Sequence, residues 1–351
     1  MLYTVLIILE FILFAMAFLT LLNIKHWSVR GFDFPIVQLL VLSVTVSVVS
    51  VIFENYQTNI AIIGLLLVNI AIVYHLMRVI PYTKIYPKEV QNNTNNNRKN
   101  TLNIMSFNVL MTNNQYDRLL QLVKENNPDI LLLLETDTNW ETAMKDLDAE
   151  YKHQVKIPKD NLYGMHFYSK LPLETNEVNY IVNKDIPSIS VKISLASGQK
   201  VQLYGLHPMP PSPTESSDTT NRDAVLLIVG KEAAKSEIPV VVFGDLNDVA
   251  WSRSTRLFKK ISGLLDPRVG RGHYNTFHAD YFLFRWPLDH LFHSKHFKLN
   301  DIKVLPHAGS DHFPIYVSLQ FHSENNKQQE SLECDSDDEE EAEKNINEAF
   351  E

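Results

Sequence analysis

Residues 101–135 read TLNIMSFNVLMTNNQYDRLLQLVKENNPDILLLLE, and this stretch decides the fold. The segment "TLNIMSFNV" is apolar on both faces, the pattern of a strand buried between two layers. In "YDRLLQLVKENN", Leu119, Leu120 and Val123 recur at helical spacing, and after Pro128 the run "DILLLLE" gives a second buried strand. Strand, helix and strand within about 35 residues make a βαβ unit. Asn108 closes the first strand and Glu135 the second. Both are therefore expected at the C-terminal edge of one sheet, where α/β proteins assemble ligand sites.

The same arrangement recurs downstream. "QKVQLYGLH" alternates and ends at His207, and the turn-rich "PMPPSPTESSDTTNR" follows. A helix from about Asp223 to Ala234 leads to "IPVVVFGDLND", a buried strand that stops at Gly244 and presents Asp245 and Asn247. "WPLDHLFHS" holds Asp289 in a short apolar segment, and "GSDHFPIYVSL" sets Asp311 and His312 at the mouth of a final strand. "ISVKISL" and "FPIYVSLQF" alternate as strands with two different faces do. Thr101 to Phe321 is about 220 residues, enough for one sizeable core. The sequence carries no internal repeat, P-loop or dinucleotide fingerprint.

Upstream, residues 2–22, 35–53 and 59–80 are almost wholly apolar, and each approaches the ~20 residues with which a helix crosses a bilayer. A cleaved signal peptide does not fit the first of them, because "MLYTVLIILE" has no basic leader and no small-x-small site follows Leu22. Glu10, ionisable and well inside a span, is expected to face another helix or a polar cavity. Residues 86–100, "YPKEVQNNTNNNRKN", are polar and aperiodic and read as a linker. Residues 322–351 are too polar to bury a core and read as a disordered acidic tail. From Cys334 to Glu351 there are nine acidic residues and one lysine, so nearly all of the formal net charge of −9 lies there. The remaining domain is close to neutral, which argues against gripping long duplex nucleic acid by charge. The single cysteine, Cys334, excludes an intrachain disulfide.

Polar groups at the ends of apolar strands are the recurrent theme: Asn108, Glu135, His207, Asp245, Asn247, Asp289, Asp311 and His312. The set is poor in sulfur and rich in carboxylate and amide oxygen, which suits Mg²⁺ or Mn²⁺ better than zinc. Cleaving a phosphate ester or anhydride would use every part: a metal to neutralise phosphate, an acid to direct water, amide and imidazole donors for developing charge. Met165, His166, Phe167 and Tyr168 read as core or rim, and His293, His296 and His307 as structural or surface residues. Arg222 reads either as a phosphate-holding or as an exposed structural arginine.

In the order "MSFNV", "LLLLETD", "YGMHFYSKLPL", "YGLHPMPP", "VVFGDLND", "LDHLFHS" and "GSDHFPI", the sequence resembles the endonuclease/exonuclease/phosphatase family of metal-dependent phosphoesterases. The resemblance covers about residues 101–321. It implies a four-layer α/β fold in which two packed β-sheets are flanked by helices (αββα). It further implies that Glu135 is the principal metal ligand, supported by Asn108 and Asp311. Asp245 looks like the residue that orients the attacking water, Asn247 like a donor to the phosphoryl oxygen, and His207 like a contact to phosphate or leaving group. Asp289 would pair with His312 and favour its protonated form. Whether Asp245 or His312 takes the water proton stays open at this level.

Three membrane spans tether such an enzyme to a bilayer and favour a lipid-linked or head-group phosphate as substrate. A membrane-tethered nuclease is the alternative within the enzyme class, and a catalytically inactive membrane scaffold or binding module the alternative outside it. The Lys25/Arg30 loop, Arg78, Lys84 and Lys88 flank the soluble domain, while Glu54 and the amino terminus face the other side. The positive-inside rule thus places the domain in the cytoplasm. The resemblance supplies the competing extracytoplasmic reading, since membrane-anchored members are expected to act on lipid carriers of wall synthesis.

Overall fold

The computed structural model describes residues 2–53, 58–95, 97–323 and 329–351. Glu54, Asn96 of the linker and residues 324–328 of the tail lie outside them.

Three long helices open the chain: α1 (Leu2–Leu21), then after a short α2 (Trp27–Arg30), α3 (Ile36–Phe53) and α4 (Asn59–Val79). Each is long and apolar enough to cross a membrane. Leu13, Leu39, Val46 and Val68 pack in their shared seam, whereas Val41, Leu42, Val48 and Ile52 point outward and stay exposed. Glu10 is fully buried against α4, where a Cβ on Gly64 would come within 2.3 Å of its Oε2. The two helices thus come close at Gly64, and the acid faces a neighbouring helix, as expected from the sequence.

The rest of the fold alternates strands and helices. In chain order these are β1 (Thr101–Asn108), α5 (Tyr116–Asn126), β2 (Ile130–Leu134), α6 (Thr138–Ala143), β3 (His153–Ile157) and β4 (Met165–Ser169). There follow β5 (Leu173–Asn179), β6 (Ser188–Ser194), β7 (Lys200–Leu206), α7 (Thr220–Lys235), β8 (Val240–Asp245) and α8 (Arg253–Ser262). The last elements are β9 (Asp289–His293), β10 (Phe297–Val304), β11 (Ile315–Phe321) and α9 (Ser336–Glu348).

Two mixed sheets form, ordered β10-β11-β1-β2-β4-β3 and β5-β6-β7-β8-β9. They pack face to face over Leu132, Leu134, Phe167, Ile189, Leu203 and Phe243. On the outer side of the first sheet, Leu131, Leu133 and Phe107 meet Leu119 and Trp140 of the covering helices. On the outer side of the second, Val242 and Phe292 meet Leu226 and Phe258. The wholly aliphatic β2, ILLLL, is explained by this layering: alternate side chains serve the inter-sheet core and the helix layer, so neither face can be polar. The result is the four-layer sandwich. His166 and the rest of β4 are buried core, and His293 is buried too.

Two peripheral segments depart from the sequence reading. Residues 336–348 form a docked helix where a disordered tail was expected. Asp335 and Asp338 make a reciprocal capping box, and Asp337, Asp338 and Glu339 sit in the first turn, where the helix dipole favours anions. Ala342 is fully buried against Leu227, Leu257 and Ile261. Arg253 binds Glu341 through two hydrogen bonds of 2.7 and 2.6 Å, and Lys260 binds Asp338 at 2.9 and 2.6 Å. The net charge that suggested disorder is matched by cations on another part of the chain. The polar stretch before β1 is likewise strapped down. Val90 is fully buried in the inter-sheet core, Glu89 pairs with Lys259 at 2.8 Å, and Asn93 N donates to Leu299 O at 2.8 Å.

Candidate active site

The strand topology brings the polar strand ends to one place. β1 and β2 are parallel, so Asn108 and Glu135 leave the first sheet at the same edge. β7 and β8 are parallel in the second sheet and deliver His207 and Asp245 beside them. β9 runs antiparallel to β8 with Asp289 directly opposite Asp245, and His312 precedes β11, which is antiparallel to β1. Gly244 makes the approach of β7 and β8 feasible. Its φ is +134°, and a Cβ there would lie 2.1 Å from Leu206 O.

Two of the site residues hold left-handed backbone without being glycine, Glu135 at φ +60° and Asn247 at φ +52°. For asparagine this is an accepted turn conformation, whereas for glutamate it is uncommon and gives the carboxylate its fixed aim. Asn108 Nδ2 donates to Glu135 Oε1 at 2.8 Å and to Asp245 Oδ2 at 3.1 Å, so one amide links both sheets. Asn247 N donates to Asp245 Oδ1 at 2.9 Å. His312 lies with Nδ1 at 2.8 Å from Asp289 Oδ2 and Nε2 at 3.5 Å from Asp245 Oδ2. His207 Nε2 stands 3.8 Å from the same Asp245 oxygen.

The eight predicted site residues therefore share one end of the sandwich, with two qualifications. Asn247 turns its amide to Pro208 O, 3.0 Å away, and so also fastens the segment after His207. Asp311 lies at the rim, with its carboxylate 3.3 Å from Ser310 Oγ.

Burial pushes the Glu135 carboxyl up to about 7, with Asp245 and Asp311 adding to the effect against the Asn108 hydrogen bond and His312. Asp245 is raised by burial and Asp289, against the pull of the two imidazoles. Burial lowers His207. For His312 burial acts downward, but Asp289 and Asp245 outweigh it and push the ring up to about 10.

Several supports escaped the sequence reading. Arg222 is buried, where an exposed or phosphate-holding role was expected. It donates to Asn247 O at 2.9 Å and to Asp223 at 2.9 and 3.1 Å, and lies 3.5 Å from Asp248. Asp289 N is held by Thr276 Oγ1 at 3.1 Å, and Ser310 Oγ donates to Asn108 O at 2.7 Å. The Tyr163 ring packs 5.4 Å from His207. Only Arg222, inside a helical segment with an acid next to it, left any trace in the sequence.

The sequence profile of the Endonuclease/Exonuclease/phosphatase family matches residues 105–312, more than half of the chain and the whole of this site. The chain belongs to the endonuclease/exonuclease/phosphatase family. Members of this family are hydrolases of phosphate ester bonds, and its enzymes use divalent metal. No curated protein sequence matches the chain significantly.

Solved structures confirm the family fold. D. rerio TDP2 complexed with single strand DNA product superposes with a TM-score of 0.53 at 16% identity, covering 63% of this chain and 99% of that one. A family protein from Bacteroides thetaiotaomicron gives 0.53 at 19% identity, with 63% and 98% covered. The human Nocturnin catalytic domain with bound sulfate gives 0.51 at 17%, with 65% and 97% covered.

The residues present fit the family's divalent metal. Carboxylates of Glu135, Asp245, Asp289 and, at the rim, Asp311 converge with two imidazoles, a set rich in hard oxygen donors. Oxygen and nitrogen atoms of Asp245, Asp289 and His312 also lie within 4.8 Å of one another. In that trio, however, the Asp289 and His312 atoms already bond each other at 2.8 Å.

Proposed function

We propose that this chain is a membrane-anchored phosphoesterase that uses Mg²⁺ or Mn²⁺ to hydrolyse a phosphate ester or anhydride carried on a lipid or lipid headgroup. The observation that supports the membrane half is the clamp between the site and the apolar helices. The segment after Asp245 runs into Ala250 and Trp251, whose carbonyls accept from Tyr82 Oη at 2.6 Å and from Arg78 Nε and Nη2 at 3.0 and 2.8 Å. Trp251 Nε1 donates to Asp33 O at 2.7 Å, between α2 and α3. The chain that leaves the strand end carrying Asp245 is thus fastened to the ends of the apolar helices.

In this reading Glu135, assisted by Asn108 and Asp311, would hold the divalent metal, which when bound would supply positive charge against the phosphate. Asp245, fixed by two amides, orients the attacking water and accepts its proton. His312 has both ring nitrogens turned to carboxylates, so it offers N–H groups and acts as a donor to the phosphoryl oxygen, held in that state by Asp289. His207 and Asn247 serve phosphate or leaving group from the second sheet. The basic residues Lys25, Lys84 and Lys88 at the domain end favour a cytoplasmic domain.

The deciding experiment is phosphate release by the full chain in vesicles with Mg²⁺ or Mn²⁺, on isoprenyl diphosphates, phospholipid esters and plasmid DNA, with Glu135→Ala as control. Release from lipid that disappears in the variant supports the reading. Nicked plasmid with lipids untouched makes the protein a tethered nuclease, a reading kept because D. rerio TDP2 shares the fold and was crystallised with a single strand DNA product. Silence on every substrate moves the scaffold reading forward.

A further inference from the structure

The chain between β8 and β9 throws out a loop whose tip is Tyr281-Phe282-Leu283-Phe284, exposed by 59, 78, 70 and 53 %. Phe284 N donates to Tyr281 O at 3.0 Å and closes the turn. Four consecutive large apolar side chains held outward form the kind of surface that soluble proteins avoid unless it meets a partner or a membrane.

The loop has two attachments. One is the site: Phe277 bridges His312 along the backbone with ring centroids 4.9 Å apart, and Ala279 N donates to Asp311 O at 2.6 Å. The other is the start of α3: Gln38 Nε2 donates to Leu283 O at 2.6 Å, and Trp286 packs edge-on against Phe34 at 5.6 Å. Phe34, Val37, Phe277 and Trp286 all pack on one buried cluster that includes Ile36 and Trp251. The tip therefore continues the outward apolar surface of α3, where Val41 and Leu42 are exposed by 61 and 45 %. Behind the tip, the Arg285 guanidinium lies over the rings of Phe282 and Phe313 at 5.5 and 4.9 Å and donates to Ala279 O at 2.8 Å.

We propose that Tyr281–Phe284 inserts into the lipid layer around α3 and seats the mouth of the site at the headgroup plane, so that the phosphate taken is one borne by a lipid of the same bilayer. The inference rests on the reading that the three helices span a membrane. Aromatic and leucine side chains at the tip bury in the acyl boundary, and a cation one residue behind them stands at the depth of lipid phosphates. A lipid-borne phosphate then reaches Asp311 and His312 along the Phe277 arm without leaving the membrane.

The chain's one cysteine is the exposed Cys334, so Cys334→Ser provides a background for a single label. Leu283→Cys is labelled with a fluorophore, and the full-length protein is reconstituted in phosphatidylcholine vesicles with or without bromine on the acyl chains. Brominated lipid is expected to quench the label at least about twofold, as it does a label at Val44→Cys on the outer face of α3. A label at Ser197→Cys, on the β6–β7 turn at the opposite end of the strands, is expected to be unaffected. Quenching at 44 with none at 283 overturns the inference and leaves the membrane reading standing. No quenching at 44 removes both. Adding Phe282→Asp is expected to cut the quenching at 283 by about half or more; unchanged quenching would mean that α3 alone brings residue 283 near lipid, and overturns the role of the tip.

Discussion

Arg78→Met tests whether the helices and the catalytic sandwich act as one unit. Arg78 sits in the last turn of α4, with Nη2 2.6 Å from Asp33 Oδ1, hydrogen bonds to Trp251 O of 3.0 and 2.8 Å, and Nη1 2.8 Å from Tyr74 Oη. Asp33 is 1% exposed, and its other cation, Arg30, is 3.5 Å away. Methionine keeps the length and apolar stem but leaves Asp33 underpaired and the Trp251 carbonyl without its donor. Breaking a buried ion pair from one side costs about 3–5 kcal/mol, and the orphaned carbonyl falls within the same range without adding fully to it. Taking about 4 kcal/mol and an unfolding entropy of ~2.1 cal/mol/K per residue, the melting temperature of the detergent-solubilised chain should fall by about 5 °C. Asp33→Asn placed in the Arg78→Met background should recover about 2 °C, because it removes the charge that the first substitution stranded. A single variant that melts within about 1 °C of the parent, or a double variant whose losses simply add, refutes the clamp.

Further outcomes follow from other parts of the molecule. Asp289→Asn removes the carboxylate 2.8 Å from His312 Nδ1 and is expected to lower kcat about 10²–10⁴-fold with a much smaller change in KM; a kcat within tenfold of the parent would count against the pairing. Burial, with Lys156 in support, lowers His166 to about 4, below the ~6.5 of an unfolded histidine. The neutral ring is therefore the folded form, and its contribution is whole above pH 6.5 and is lost as the pH falls towards 4, by about 3 kcal/mol in total. His166→Phe should flatten the decline in melting temperature between pH 6.5 and 4.5, and an unchanged slope would refute this. Ala342→Asp puts a charge into a fully buried seam beside Leu257 and should release α9, read as new protease cleavage between residues 336 and 348 with the sandwich intact.

Much of this protein was legible from local pattern. The run Thr101 to Glu135 announced strand, helix and strand because a buried parallel pair must be apolar on both faces, and the polar residue that ends each strand stands out against that background. Asn108, Glu135, His207, Asp245 and Asp289 were visible for that reason, and the structure collects them. Thr276 and Ser310 were not, and Arg222 was noticed without its buried role, since a buried support looks like any helical arginine or loop hydroxyl until its partner is known.

Composition misled at the carboxyl end. Nine acids against one lysine imply disorder only if nothing else in the chain answers them. Arg253 and Lys260 on α8 do answer them, through contacts across 78 to 88 residues that no window of sequence contains. The tip at Tyr281–Phe284 is the converse case. Its four letters resemble a strand, and only tertiary packing shows that the base packs against Phe34 and His312 while the tip faces out. The sequence by itself determined the layers, the strand ends and the chemistry they carry, because periodicity and burial are local properties of the chain. Which distant charges meet, and which apolar residues remain outside, was decided by the fold, because those depend on what the packed elements leave uncovered.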